Sequence, residues 1–217
     1  MRSLFTALLD LMFPPSPHAR LVREATERAV LPAYAPRRFG ATLTLAPYRE
    51  PLMEALIQEA KFHRNERAIA LLGQLLALHL HKTQKETRGA PERAHETYLI
   101  PIPLSRERLR ERGYNQTLEI ARAALASAAR AHLADSLLRR IRHSAPQTSL
   151  SRDERLRNLA GAFAVNTDAL PFQSSFPPQS RLILLDDVVT TGATLSEAAR
   201  TLRNAGFTRV EQLTLAH

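Results

Sequence analysis

Leu182-Ile183-Leu184-Leu185-Asp186-Asp187-Val188-Val189-Thr190-Thr191-Gly192-Ala193-Thr194 joins an unbroken apolar run to two adjacent acids and a turn rich in threonine. Four consecutive apolar residues predict a strand buried on both faces, the habit of parallel sheets. The acids then fall at its carboxyl end, where open α/β sheets place their ligands. Thr194 to Ala205 is a predicted helix, stopped by Gly206. Backbone amides in a tight turn before a helix form an anion-binding concavity, and the helix dipole adds to it. Gly192 lets the backbone approach a ligand or take a positive φ. Thr190, Thr191 and Thr194 add hydroxyl donors. Asp186 and Asp187 would repel a phosphate but accept hydrogen bonds from ribose hydroxyls. Acids one step before a phosphate nest therefore fit a ribose 5-phosphate.

Two other folds that place acids after an apolar strand are excluded. A P-loop ATPase needs Gly-x-x-x-x-Gly-Lys-Ser/Thr, and none of the seven glycines here precedes a lysine. A phospho-receiver domain keeps its acid pair near the start of the domain, and too few residues follow Asp187.

Working outward, Val210 to Leu215 and Thr97 to Ile102 are predicted strands, as are Ala41 to Ala46 and Leu137 to Arg142, with a short one at Ala162 to Val165. Pro51 opens a predicted helix whose apolar residues recur at helical spacing. Further helices are expected over Ala68 to His81, over Gln116 to Leu133 and around Leu21 to Val30. Ser151 and Glu154 have capping-box spacing, so a helix should start there. Thr83 to Glu96 and Pro171 to Ser180 look like connectors. Strands alternating with helices imply a mostly parallel sheet flanked by helices, a Rossmann-like α/β domain over 48–217 with a small N-terminal attachment over 1–47.

The chain has 217 residues, room for one sizeable core. It contains no cysteine, which excludes disulfides, thiolate zinc sites and a Cys nucleophile, and agrees with a cytoplasmic protein. Lys plus Arg total 30 against 21 for Asp plus Glu, a net +9 that favours anionic partners. Aromatics are 6% with no Trp, so no base-stacking platform is advertised. Met1 to Phe13 has helical apolar spacing but falls short of the roughly 20 residues a membrane span needs, so it reads as a docking helix. His79 and His81 sit two apart on a predicted helix and point to different faces, so with His63 they make a poor metal site. No protein-held metal site is put forward.

The loop at Asp186 to Thr194 resembles the signature of the type I phosphoribosyltransferases. Other segments narrow the resemblance to the ComF/GntX family (competence protein F): Tyr48 with a helix ending in Lys61-Phe62, Ile100-Pro-Ile-Pro-Leu-Ser-Arg106, Arg112-Gly-Tyr-Asn-Gln116, Pro146-Gln147, Leu150 to Asn158, and Gly161-x-Phe163. They cover about residues 48–217 in the family's order.

The resemblance implies a type I phosphoribosyltransferase fold that binds phosphoribosyl diphosphate. Asp186, Asp187, Val188, Thr190, Thr191, Gly192, Ala193 and Thr194 would hold the ribose and its 5-phosphate. Leu104, Ser105, Arg106, Arg112, Asn115 and Gln116 would form or adjoin the pyrophosphate loop, with Arg108 and Arg110 in the same basic run. Ser144 to Phe163 is similar to a closing lid, and Lys61, Gln147, Arg155 and Asn158 are its polar candidates. Mg²⁺ would enter through the bound diphosphate. Many members begin with a cysteine-rich zinc segment; this chain lacks those cysteines, and no zinc is carried over. The implied chemistry is displacement of pyrophosphate from ribose C1 by a nitrogen acceptor that the sequence does not identify. The family is also associated with natural competence and DNA uptake. That implies a second reading, a non-catalytic sensor or single-stranded-DNA-binding factor, with DNA-uptake proteins as partners and peripheral contact with inner-membrane machinery.

Overall fold

A computed structural model describes residues 15–86, 96–128, 130–141, 159–166, 176 and 180–217. In chain order these form α1 (Pro17–Glu24), α2 (Glu27–Val30), a 3-10 turn (Leu31–Ala33), β1 (Arg37–Phe39), β2 (Thr42–Ala46), α3 (Pro51–Phe62) and α4 (Glu66–Glu86). They continue with β3 (Thr97–Pro101), α5 (Arg106–Arg112), α6 (Gln116–Leu125), β4 (Ala131–Leu133), β5 (Leu138–Arg140) and β6 (Phe163–Val165). β7 (Arg181–Val188), α7 (Ala193–Asn204) and β8 (Val210–Ala216) complete the domain.

Six strands pair in the order β1-β2-β8-β7-β3-β4, and β5 and β6 form a separate hairpin. Every pairing in the large sheet is parallel except β1 with β2. The apolar run of β7 explains its central place. Ile183 and Leu185 face one layer, with Leu45, Leu99, Leu213 and the helices α3, α4 and α6. Leu182 and Leu184 face the other, with Ile100, α7 and the β5–β6 hairpin. Burial on both faces is what an uninterrupted apolar strand requires. The result is an α/β domain with a mixed, mostly parallel sheet flanked by helices.

Several elements differ from the sequence expectations. The acids Asp186 and Asp187 belong to β7 itself, which runs to Val188 and pairs Asp186 with Thr214. The single helix expected over Leu21 to Val30 is two. Ser16 caps α1, its Oγ accepting from Ala19 N at 3.0 Å, and Ala25 is extended with ψ 141°. Arg67 stabilises that break by donating to the carbonyls of Val22 and Ala25. The helix expected to reach Leu133 stops at Leu125, and the chain re-enters the sheet as β4 through Arg130 at φ 65°. The Ala-rich stretch carries no Gly or Pro to announce that stop. Ser105 to Arg112, given no secondary structure from the sequence, is a capped helix. Ser105 Oγ accepts from Arg108 N at 3.3 Å, α5 follows, and Gly113 at φ 75° ends it. The capping box at Ser151 and Glu154 lies outside the described residues, as does Met1 to Phe13.

The expected boundary at residue 47 falls inside one core. β1 and β2 supply two of the six strands, and Val22, Ala25 and Val30 join the buried cluster that includes Leu45 and Leu213. The signal for β1 was weak: three exposed residues, Arg37-Arg-Phe39, turned back through Gly40 at φ 58°.

Candidate functional site

Parallel pairing brings the carboxyl ends of β2, β8, β7 and β3 to one edge of the sheet, and a cavity of about 810 Å³ opens there. Its lining comes from the loops that leave those strands, with Ile57 and Lys61 from one face of α3, Arg108 and Arg112 from α5, and Gln116 from α6.

The acid pair forms the floor. Asp187 is 7% exposed. Its carboxylate accepts from Gln116 Nε2 at 2.9 Å and from Val188 N at 2.7 Å, and Lys61 Nζ stands 3.7 Å away. Gln116 in turn accepts from Arg112 at 3.0 Å, so a relay of Arg112, Gln116 and Asp187 crosses from α5 to β7. Burial holds the Arg112 guanidinium below its ordinary value, against the pull of Asp187. Asp186 Oδ1 accepts from Asp187 N at 2.9 Å. Burial, followed by the charge of Asp187, pushes its carboxyl up to about 7, with Lys61 and Arg108 acting in the opposite sense. The two acids thus differ: Asp187 is tied into cationic and amide donors, and Asp186 resists ionisation.

The turn after β7 is open. Gly192 sits at φ 73° as the N-cap of α7, and Thr190 is exposed. Val189 N continues the ladder to Ala216 O at 3.2 Å, and Ala193 N reaches Thr191 Oγ1 at 3.4 Å. The amides of Thr190, Thr191, Gly192 and Thr194 find no acceptor among the described residues. Free amides at a helix start, beside a cavity lined by Arg49, Lys61, Arg108 and Arg112, are suited to an anion.

Of the residues singled out from sequence, Lys61, Leu104, Arg112, Gln116, Asp186, Asp187, Val188, Thr190 and Thr194 line this cavity. Thr191, Gly192 and Ala193 belong to the same turn but not to the lining. Ser105 and Asn115 cap helices: Asn115 Oδ1 accepts from Thr117 N at 3.1 Å and its Nδ2 donates to Ile102 O at 3.0 Å. Arg106 is exposed and outside the lining, whereas Arg108 is within it. Helical spacing accounts for this, since Arg108 and Arg112 are four apart and share a face. Gln147, Arg155 and Asn158 lie outside the described residues. Sequence reasoning did not single out Pro47, Arg49, Ile57 or His217, and it quoted Val189 within the loop without giving it a role. Ile57 stands one turn before Lys61, and Pro47 and Arg49 flank the quoted Tyr48, local signals that could have found them. Away from the site, His79 is buried against Tyr34 at 3.1 Å, and burial lowers its pKa to about 4, while His63 and His81 are exposed. Among the described residues no helix is long and apolar enough to cross a membrane.

Fold and site together define an α/β protein with a charged cavity at the carboxyl ends of a mostly parallel sheet. No protein-family model matches the chain. It is 33% identical over 173 residues to Competence protein F of Haemophilus influenzae, covering 78% of this chain and 69% of that protein. It is 32% identical over 170 residues to DNA utilization protein YhgH of Escherichia coli, covering 78% and 68%. Competence protein ComFC of Bacillus subtilis is 33% identical over 108 residues, covering 50% of this chain and 39% of that protein. The chain belongs to the ComF family of competence proteins.

Proposed function

We propose that this protein binds phosphoribosyl diphosphate as Mg²⁺ complex and is a phosphoribosyltransferase of the type I fold. One observation carries the reading: the unpaired amides of Thr190, Thr191, Gly192 and Thr194 follow Asp186 and Asp187 directly, and Arg108 and Arg112 line the same cavity as both acids, Thr190 and Thr194. The amides and the Thr190 and Thr194 hydroxyls take the 5-phosphate. The acid pair accepts from the ribose hydroxyls. Arg108 and Arg112 present guanidinium forks to the diphosphate. Lys61, held by Asp187, adds a cation beside the sugar.

Mg²⁺ binds through one or two carboxylates plus substrate phosphates rather than in a protein cage. Two carboxylates on one strand end suit that role. The ion would neutralise diphosphate charge, and its arrival would favour the ionised form of Asp186. Catalysis then rests on positioning and charge neutralisation. The lone pair of an acceptor nitrogen forms the bond to C1 as the C1–oxygen bond to diphosphate breaks. The bonding electrons leave with pyrophosphate, and the proton from nitrogen passes to solvent.

Calorimetric titration with phosphoribosyl diphosphate and Mg²⁺ tests the binding. Saturable heat, at least tenfold weaker in affinity for Asp187→Asn, is expected; no heat at millimolar ligand would refute it. Release of pyrophosphate across a panel of amines tests the transfer. A second reading, a DNA-handling factor, draws on the names of the relatives and on the net charge of +9. It predicts single-stranded DNA binding that weakens steeply with salt, and a flat salt response would count against it.

A further inference from the structure

The proposed sugar phosphate uses only part of the cavity. Its phosphates and hydroxyls have counterparts in Arg108, Arg112, Thr190, Thr194 and the acid pair. The remaining half, over β2 and β8, is built from Pro47, Tyr48, Arg49, Ile57 and His217. Two of its rings are held in place. Tyr48 N donates to His217 O at 2.8 Å, and Tyr48 Oη accepts from Gln58 Nε2 at 2.8 Å. His217 N donates to Ala46 O at 3.2 Å, and its ring lies against Phe39 with centroids 3.9 Å apart. Arg49, in contrast, is exposed and has no hydrogen-bond or ion-pair partner among the described residues.

We infer that this half of the cavity is the acceptor subsite, and that the acceptor is a planar aromatic acid bearing an amine; the inference rests on the donor reading above. The fixed rings and Pro47 form a surface suited to a flat molecule. The Arg49 fork is suited to a carboxylate, and among the described residues no protein anion neutralises it. It is also the lining cation farthest along the sheet from the strand β3 end, where Arg108 and Arg112 serve the diphosphate. At about 810 Å³ the cavity is near the upper end of the roughly 300–1,000 Å³ typical of small-molecule sites, leaving room for two reactants. An uncharged ring would leave Arg49 without a counterpart.

Calorimetry on the full chain, with phosphoribosyl diphosphate and Mg²⁺ present, compares 2-aminobenzoate and 4-aminobenzoate with aniline. At least one acid should bind tenfold or more tighter than aniline. Arg49→Ala should shrink that ratio below threefold. Tyr48→Ala should weaken the acid about tenfold and Tyr48→Phe should not, because the hydroxyl is already engaged by Gln58. Melting curves establish that each variant is folded. Donor affinity is titrated separately. If the donor binds but neither acid outbinds aniline, the acceptor inference fails and the donor reading stands. If the donor does not bind, the donor reading fails, and the same titration on the unliganded protein decides the subsite: binding of an acid that depends on Arg49 upholds it, and none overturns it.

Discussion

Asp186 keeps a proton in the folded chain that it would give up near pH 3.8 when unfolded, because burial and the Asp187 charge push its carboxyl up to about 7. Its contribution to stability is therefore full below about pH 4 and is lost as pH rises through about 7. Asp186→Asn removes the loss. At pH 8 the variant should be more stable by on the order of 2 kcal/mol, about 4–8 °C in melting temperature, after allowance for solvent on its open side. Melting curves from pH 4 to 8 should show this gap closing toward acid; parallel curves would contradict it. Gly192 poses a different question. A Cβ there would meet only Val189 Cγ2 at 3.7 Å and Thr42 Oγ1 at 3.9 Å, so space is ample and the positive φ is the obstacle. Gly192→Ala should cost about 1 kcal/mol in stability yet weaken phosphoribosyl diphosphate at least tenfold, since relaxing φ re-aims the amides. A variant that binds as tightly as wild type would show that the turn does not grip the phosphate.

Among the elements, α4 and α6 pack most intimately at Gly73, where an added Cβ would fall 2.6 Å from Ala123 Cβ and 3.1 Å from the Ala123 backbone. Neither helix can yield without moving, because α4 carries Leu72, Leu75 and Leu76 into the core and α6 carries Gln116 to the site. Gly73→Ala should therefore destabilise by about 1–3 kcal/mol through overpacking, despite the higher helix propensity of alanine. Denaturant unfolding measures it, and a stabilised variant would mean that the helices separate freely. Nothing around Gly73 in sequence distinguishes it from a tolerated helical glycine. Element types were legible wherever period and punctuation agreed: Pro51 opens α3, the apolar run makes β7, and Gly206 follows α7. They were not legible where tertiary contacts decided. Arg67 from α4 donates to the carbonyls at the break between α1 and α2, and the short strands β1 and β4 exist because the sheet has edges to pair.

At the scale of the molecule, the sheet binds the N-terminal segment to the rest. β2 pairs with β8 from Thr42↔Gln212 to Ala46↔Ala216, and Thr42 Oγ1 donates to Gln212 Oε1 at 3.0 Å in the buried layer. A chain shortened to 48–217 would leave β8 as an unpaired edge with Leu213 and Leu215 uncovered. It should aggregate or melt at a temperature lower by at least 10 °C; a soluble fragment with the full melting temperature would show that β2 is dispensable.

By itself the sequence determined the unit of strand, acid pair, turn and helix, because every part of it is contiguous and its chemistry follows from covalent order. Family membership was legible on the same grounds, from short motifs in a set succession. Only the tertiary structure decided which distant side chains complete the site. Tyr48 with Arg49, Lys61, Arg108 with Gln116, and His217 come from separate parts of the chain and meet because parallel pairing places the ends of β2, β8, β7 and β3 along one edge. No local pattern encodes that convergence: strand order is set by which apolar faces bury one another, a property of the whole core.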